Sequence, residues 1–134
     1  MKASDLKSSW TTRDNKRLTN NQYSIRLPVH IAARISALCE MFPSKTRTDI
    51  MADLLDSALE ELEESFGHQY SEDKAEEVDG LIVYPDIGLY GDYARTANKY
   101  FEELERELGN DKPSSLLPTA IGKPAKLHNE EDDL

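Results

Sequence analysis

Cysteine and long apolar runs are both scarce in this chain of 134 residues, and each scarcity excludes a class of protein. Cys39 is the single cysteine, which rules out an intramolecular disulfide and favours a reducing compartment. No apolar run approaches the roughly 20 residues of a transmembrane helix, and the amino terminus lacks the apolar stretch of a secretory signal. We therefore expect a cytoplasmic protein without a membrane partner, with room for one domain and an appendage.

Motifs for chemistry are also missing. The sequence contains no phosphate-binding loop, no nucleophile with a matched base and no metal-ligand spacing. Acidic clusters at residues 60–64 and 72–79 fit a solvated helix end and a charged linker better than acid–base catalysis, which needs a concave site. We expect a protein that is not an enzyme and that has neither a cofactor nor a metal site.

The net charge of −10 is unevenly distributed along the chain. Residues 1–48 contain nine Lys and Arg and three acidic residues, for a charge of +6. Residues 49–134 contain seven Lys and Arg and twenty-three acidic residues, for a charge of −16. The basic half indicates an anionic partner, and the acidic half would turn away from it.

The basic half is organised around residues 22–28, whose polar and apolar side chains alternate. Successive side chains of a strand point to opposite faces, so this alternation predicts a strand with one apolar and one polar face. The apolar face would carry Tyr23, Ile25 and Leu27. The polar face would carry Gln22, Ser24 and Arg26. An amide, a hydroxyl and a guanidinium in one row are groups that can recognise base edges.

Two helices are predicted after this strand. The apolar residues of 29–42 recur at spacings of three and four, which is typical of one buried helical face. Thr46 and Asp49 have the spacing of a capping box and predict the start of a second helix. Its apolar residues recur over 50–66 before Gly67 provides a stop.

An isolated strand cannot satisfy its own backbone hydrogen bonds, so the predicted strand needs a partner from a second copy. Antiparallel pairing would place the apolar strand faces over four helices and the polar faces outward, around a two-fold axis. The expected dimer core is Tyr23, Ile25, Leu27, Ile31, Ile35, Leu38, Ile50, Leu54, Leu55 and Ala58.

Residues 22–66, with the strand QYSIRLP followed by a helix, a capped turn and a second helix, resemble the ribbon-helix-helix (Arc/MetJ-type) family of DNA-binding proteins. The strand is similar to that of the Arc and Mnt repressors. The resemblance implies an intertwined homodimer, or a tetramer on DNA, that inserts an antiparallel β-ribbon into the major groove of double-stranded DNA. The implied base contacts are Gln22, Ser24 and Arg26. The implied phosphate contacts are Lys45, Thr46, Arg47 and Thr48. The positions matching the buried ionic triad of Arc are Ser44, Asp49 and Asp53, with no arginine.

The regions on either side of this domain are expected to be less ordered. Residues 1–21 are predicted to form a flexible basic arm, either a plain disordered leader or one that contacts DNA. The arm contacts would be Arg13, Lys16 and Arg17. Residues 68–109 are predicted to be an acidic linker and a helical extension, with a helix from about Asp92 to Leu108, and residues 110–134 a disordered acidic tail. The expected fold is mainly α with one short β-strand.

These expectations favour a transcriptional regulator, most simply a repressor. Two alternatives use the same DNA-binding domain. One is an antitoxin in which residues 68–109 bind a toxin as a protein partner. The other is an accessory protein of plasmid partition or of the relaxosome. Order or disorder of residues 68–134 without a partner bears on the antitoxin alternative.

Overall fold

The computed structural model divides the chain into two compact units, Met1–Ser65 and Phe66–Leu134. The residues that it describes are Ala3, Leu6, Trp10 and 17–125. The elements of the first unit are α1 (Val29–Met41) and α2 (Arg47–Ser65). The elements of the second unit are β1 (Glu76–Val78), β2 (Leu81–Pro85), α3 (Leu89–Glu107) and β3 (Ala120–Pro124). Among the described helices, none combines the length and the apolar character that crossing a membrane requires.

Both predicted helices of the first unit are confirmed. α1 begins directly after Pro28, whose φ of −56° suits a residue that opens a helix. The predicted capping box is formed: the Asp49 N–H donates to Thr46 Oγ1 at 3.0 Å, and the Thr46 N–H donates to Asp49 Oδ2 at 3.4 Å. After the end of α2, Gly67 has a φ of 67°, a left-handed conformation that favours glycine.

The core of the first unit contains two residues from the predicted arm. Leu6 and Trp10 are buried and pack with Ile50, which has no exposed surface. The partly buried residues around this core are Leu38, Cys39, Phe42 and Leu54. The expectation of a flexible arm is therefore wrong at these two described positions, because their apolar side chains pack against residues of α1 and α2.

Polar contacts also fix Trp10. Its indole Nε1–H donates to the Asp53 carboxylate at 2.7 Å, and Ser44 Oγ donates to the Trp10 carbonyl at 2.8 Å. Asp53 is buried, and a buried carboxylate without hydrogen-bond donors is strongly destabilising. Ser44 and Asp53 are therefore both bonded to an aromatic residue from the amino-terminal segment.

The predicted strand at residues 22–28 is not formed within one chain. Between residues 17 and 65 the structure contains helices and irregular segments but no β-strand. A strand needs a neighbour for its N–H and C=O groups, and the described part of this unit supplies only helices. The strand at 22–28 was predicted to form only with a second copy, so that strand and the homodimer stay predictions. The expectation of a mainly α fold with one short strand is wrong, because the second unit contains three strands.

The second unit contains an antiparallel sheet of order β1-β2-β3, which was not predicted. Val78 is opposite Leu81, so Asp79 and Gly80 form a two-residue hairpin turn. Their φ angles of 49° and 80° are both positive, as a type I′ turn requires. The expectations of an acidic linker and of a disordered tail from Asn110 are wrong for the residues of these three strands, because their backbones pair with one another.

α3 confirms the predicted third helix, although it begins at Leu89 rather than Asp92. The chain after it is attached to the helix by Asn98. The Asn98 Oδ1 accepts from the N–H groups of Leu116 and Leu117 at 2.9 and 2.8 Å, and its Nδ2 donates to the Leu117 carbonyl at 3.0 Å. This buried amide uses three hydrogen bonds to hold the segment that leads into β3.

Asp86 occupies the corner between β2 and α3 and is 1% exposed. Its carboxylate accepts from the N–H groups of Gln69 and Gly88 at 3.2 and 3.0 Å and bonds His68 Nδ1 at 2.8 Å. Burial alone would raise the pKa of Asp86, but the hydrogen bonds from these three groups favour the charged form and hold the pKa below its ordinary value. A Cβ at Gly91 would lie 1.9 Å from the Asp86 carbonyl oxygen, so the close approach of α3 requires glycine there.

Candidate nucleic-acid interface

The three predicted base-contacting residues are all exposed in the segment immediately before α1. They are Gln22, Ser24 and Arg26. Their spacing of two places them on one side of the segment when it is extended. On the alternate positions, Tyr23 and Ile25 are 75% and 69% exposed, and Leu27 is half-buried.

The structure brings this segment close to the beginning of α2. A shallow groove is lined by Tyr23, Ser24, Ile25, Thr48, Met51, Ala52 and Leu55. Most of its apolar lining is exposed, namely Tyr23, Ile25, Ala52 and Leu55, whereas Met51 is half-buried. The predicted base-contacting segment and the predicted phosphate-contacting turn are therefore neighbours in one chain.

The start of α2 combines main-chain donors with a basic side chain. Thr46, Arg47 and Thr48 are exposed. Arg47 Nη1 donates to Ser36 Oγ on α1 at 3.3 Å, which orients the guanidinium near the helix amino terminus. Unpaired N–H groups and the helix dipole favour an anion at such a position. Asp49 in the first turn accepts from one of these donors and contributes opposing charge.

Lys45 differs from the other predicted phosphate contacts in its exposure. The residue is only 5% exposed, although lysine is rarely buried in proteins. Its phosphate contact stays a prediction. Of the predicted arm contacts, Arg17 is exposed, whereas Arg13 and Lys16 lie outside the described residues.

The predicted dimer core is only partly covered by the chain itself. Ile35 and Ile50 are buried. The half-buried members are Leu27, Ile31, Leu38 and Leu54. The exposed members are Tyr23, Ile25, Leu55 and Ala58. Leu59 and Leu62 of α2 are also exposed. The described chain therefore leaves part of the apolar face of this helix uncovered.

Sequence reasoning missed the role of Trp10 in supporting this region. The Trp10 N–H donates to the Leu6 carbonyl at 2.9 Å, and the Trp10 ring meets Phe42 edge-on with centroids 5.5 Å apart. The spacing of four between Leu6 and Trp10 was the signal, since two large apolar residues four apart share a helical face.

No known protein family, no curated protein and no solved structure matches this chain. A function for this chain therefore has to be proposed from the chemistry and geometry of its own residues.

Proposed function

We propose that the protein is a homodimeric, sequence-specific transcriptional regulator that inserts an antiparallel ribbon of two 22–28 segments into the major groove of double-stranded DNA. The observation that supports this proposal most strongly is the exposed apolar surface formed by Tyr23, Ile25 and Leu55. Contiguous apolar surfaces of this kind are typical of protein interfaces. A second copy would supply both a strand partner and an apolar cover.

We expect a substantial favourable free energy of dimerisation, because each contact of a two-fold interface occurs twice. Covering one large apolar side chain is worth about 1.5–3 kcal/mol, and a two-fold interface covers each residue in both copies. The backbone groups of residues 22–28 would gain ladder partners at the same time. Dimerisation alone would therefore cover the exposed apolar side chains and provide a strand partner for residues 22–28.

Pairing through the apolar face leaves the polar face for DNA. Gln22 offers an amide that suits adenine, and Arg26 offers the bidentate donors that suit guanine. Ser24 can donate to or accept from several base edges. All three side chains are exposed, so contact with a duplex requires no local unfolding.

Backbone phosphates would be bound at the start of α2. The main-chain N–H groups of residues 47 and 48 and the Arg47 guanidinium are the donors that we assign to this role, because the Thr46 N–H donates to Asp49. Contacts of this kind position the protein, and base contacts then provide sequence preference.

The folded second unit favours a regulator over an antitoxin. A toxin-binding segment that orders on its partner would lack a fold of its own. Residues 66–125 instead contain a paired sheet and two buried polar side chains, Asp86 and Asn98, whose hydrogen bonds are all internal. A protein partner for residues 68–109 is therefore not required for order.

Selection of duplexes bound by the full-length protein from a random pool tests this function. A dimer that presents two identical ribbons predicts recovery of a roughly palindromic site, with specific binding that weakens steeply as salt rises. A regulator and a partition protein then differ in where that site lies, beside a promoter or at a centromere-like array. Recovery of unenriched sequences by a monomeric protein would contradict the proposal.

A further inference from the structure

A small pocket lies on the second unit, and its lining includes none of the residues assigned to DNA. Its volume is about 240 Å³, and its lining is Tyr70, Glu72, Tyr84, Ile121 and Lys123. Sites for drug-sized ligands occupy roughly 300–1,000 Å³, so this pocket suits a smaller molecule. The lining combines two aromatic rings, one aliphatic side chain, one cation and one anion. A complementary ligand would therefore have an apolar part and a group of each charge.

The floor of the pocket is one face of the sheet. Tyr84 on β2 is paired with Ile121 on β3, so both side chains point to the same side. Lys123 is two residues beyond Ile121 and shares that side. Its Nζ lies 5.8 Å from the centroid of the Tyr84 ring. The cation is therefore held over an aromatic surface.

The second aromatic wall, Tyr70, is held in place by contacts with His68 and Asp86. The His68 imidazole stacks on the Tyr70 ring at 5.3 Å with an interplanar angle of 10°. His68 is in turn bonded at 2.8 Å to Asp86, and Tyr70 forms a backbone bridge with the same residue. A buried carboxylate is costly, and here its bonds fix the orientation of a half-exposed aromatic pair. A wall held in this way is preorganised for a ligand.

The two charged residues of the pocket retain their binding capacity. Within the part of the chain that the structure describes, neither Glu72 nor Lys123 forms an ion pair. One ligand that satisfies both would carry an ammonium and a carboxylate. A polyanion is disfavoured, because residues 66–125 contain six Lys and Arg against twelve acidic residues.

We propose that this pocket binds a free zwitterionic α-amino acid with an aromatic or large aliphatic side chain. The side chain lies against Tyr70, Tyr84 and Ile121. The ammonium is bound by Glu72, and the carboxylate by Lys123. His68 acts as a positioning residue for Tyr70. The site belongs to the second unit alone and does not depend on DNA binding.

Titration of the full-length protein, observed by two-dimensional amide NMR, tests the site with defined probes. L-Phenylalanine is compared with phenethylamine, which lacks the carboxylate, and with 3-phenylpropionate, which lacks the ammonium. N-Acetylphenylalanine amide lacks both charges and represents a residue inside a peptide. We expect saturable shifts at residues 70–72, 84 and 121–123 with L-phenylalanine. Each one-charge analogue should bind about two- to fivefold more weakly, as exposed ion pairs contribute modestly.

Two charge-removing variants assign the ends of the ligand. Lys123→Gln should abolish the preference for L-phenylalanine over phenethylamine, and Glu72→Gln should abolish the preference over 3-phenylpropionate. Lys112→Gln and Glu103→Gln remove exposed charges outside the pocket lining and should leave both preferences unchanged. An unchanged amide spectrum outside the pocket shows that each variant is folded.

Replacement of His68 by alanine tests the positioning role. H68A should weaken all aromatic probes by a similar factor while the preference between charged and uncharged probes persists. The proposal is overturned if L-phenylalanine gives no shift at the pocket up to its solubility limit. Equal affinity for N-acetylphenylalanine amide, or preferences that survive both charge-removing variants, would also overturn it.

Discussion

The two units of this protein differ in how the chain outside their helices is paired. In the second unit, β1, β2 and β3 pair with one another, and Asp86 and Asn98 each form three hydrogen bonds with the unit's own residues. In the first unit, residues 22–28 pair with no strand of the described chain, and Tyr23 and Ile25 on this segment are exposed. Both units expose other large apolar side chains, so the distinguishing feature of the first unit is an exposed apolar segment without a strand partner. This difference underlies the proposal that the first unit dimerises.

A charge placed in the exposed apolar face of the first unit should have the largest effect. It should prevent the dimerisation that we propose for this unit. We expect Ile25→Asp to weaken dimerisation by roughly 3–6 kcal/mol, because both copies lose an apolar contact and bury a carboxylate. Sedimentation of the full-length variant over a range of concentrations measures the effect. Asp56→Asn, an exposed change on α2, is the matched control. A variant that associates as strongly as the parent would show that Ile25 lies outside the interface.

The buried network of the second unit should be the next most sensitive feature. Asp86→Ala leaves two backbone N–H groups and the His68 ring without their acceptor, and we expect a loss of about 2–4 kcal/mol in the free energy of unfolding. Urea unfolding followed by amide NMR signals of residues 76–124 reports this loss. The exposed change Asp111→Ala should cost less than about 0.5 kcal/mol. Equal stabilities for the two variants would contradict the role assigned to Asp86.

Arginine in the polar row of the first unit should affect specificity rather than stability. Arg26→Ala is expected to cost about 1–3 kcal/mol for each contacted base pair and to relax sequence preference there. Competition between the selected duplex and a scrambled duplex measures this difference. Arg34→Ala removes an exposed guanidinium of α1 and should preserve the preference. An unaltered preference in the Arg26 variant would remove this side chain from base recognition.

Lowering the pH should reduce the free energy of unfolding of the second unit, because Asp86 becomes protonated. The pKa of this carboxyl is lower in the folded chain than in the unfolded chain, so its charged form stabilises the fold at neutral pH. This contribution begins to fall as the pH drops below the ordinary aspartate value of about 3.9, and it is lost once the pH passes below the folded pKa. Asp86→Asn should flatten this part of the stability profile, measured by urea unfolding at several pH values. An identical acid dependence in the variant would assign the effect to other carboxyls.

Local patterns predicted most of the first unit, because helix periods and caps depend on near neighbours. The Thr46–Asp49 box and the bounds of α1 and α2 follow from such spacings. The buried position of Lys45 could not be predicted in this way. It depends on tertiary packing, which leaves no periodic signal in the sequence.

The sheet of the second unit was missed for two different reasons. Asp79–Gly80, followed by the apolar run of β2, was a readable hairpin signal. β3 offered no comparable pattern, since AIGKP has neither strict alternation nor enrichment in β-branched residues. Its order comes from pairing with β2 and from the Asn98 amide, both distant in sequence. Non-local contacts of this kind cannot be inferred from spacing.

Contacts between two copies at residues 22–28 test the central claim most directly. In a mixture of isotopically labelled and unlabelled full-length protein, filtered NOE spectra detect protons that are close across the interface. Antiparallel pairing predicts intermolecular signals among the backbone protons of Tyr23, Ile25 and Leu27. A dimer whose intermolecular signals exclude these residues, or a monomer without any such signals, would contradict it.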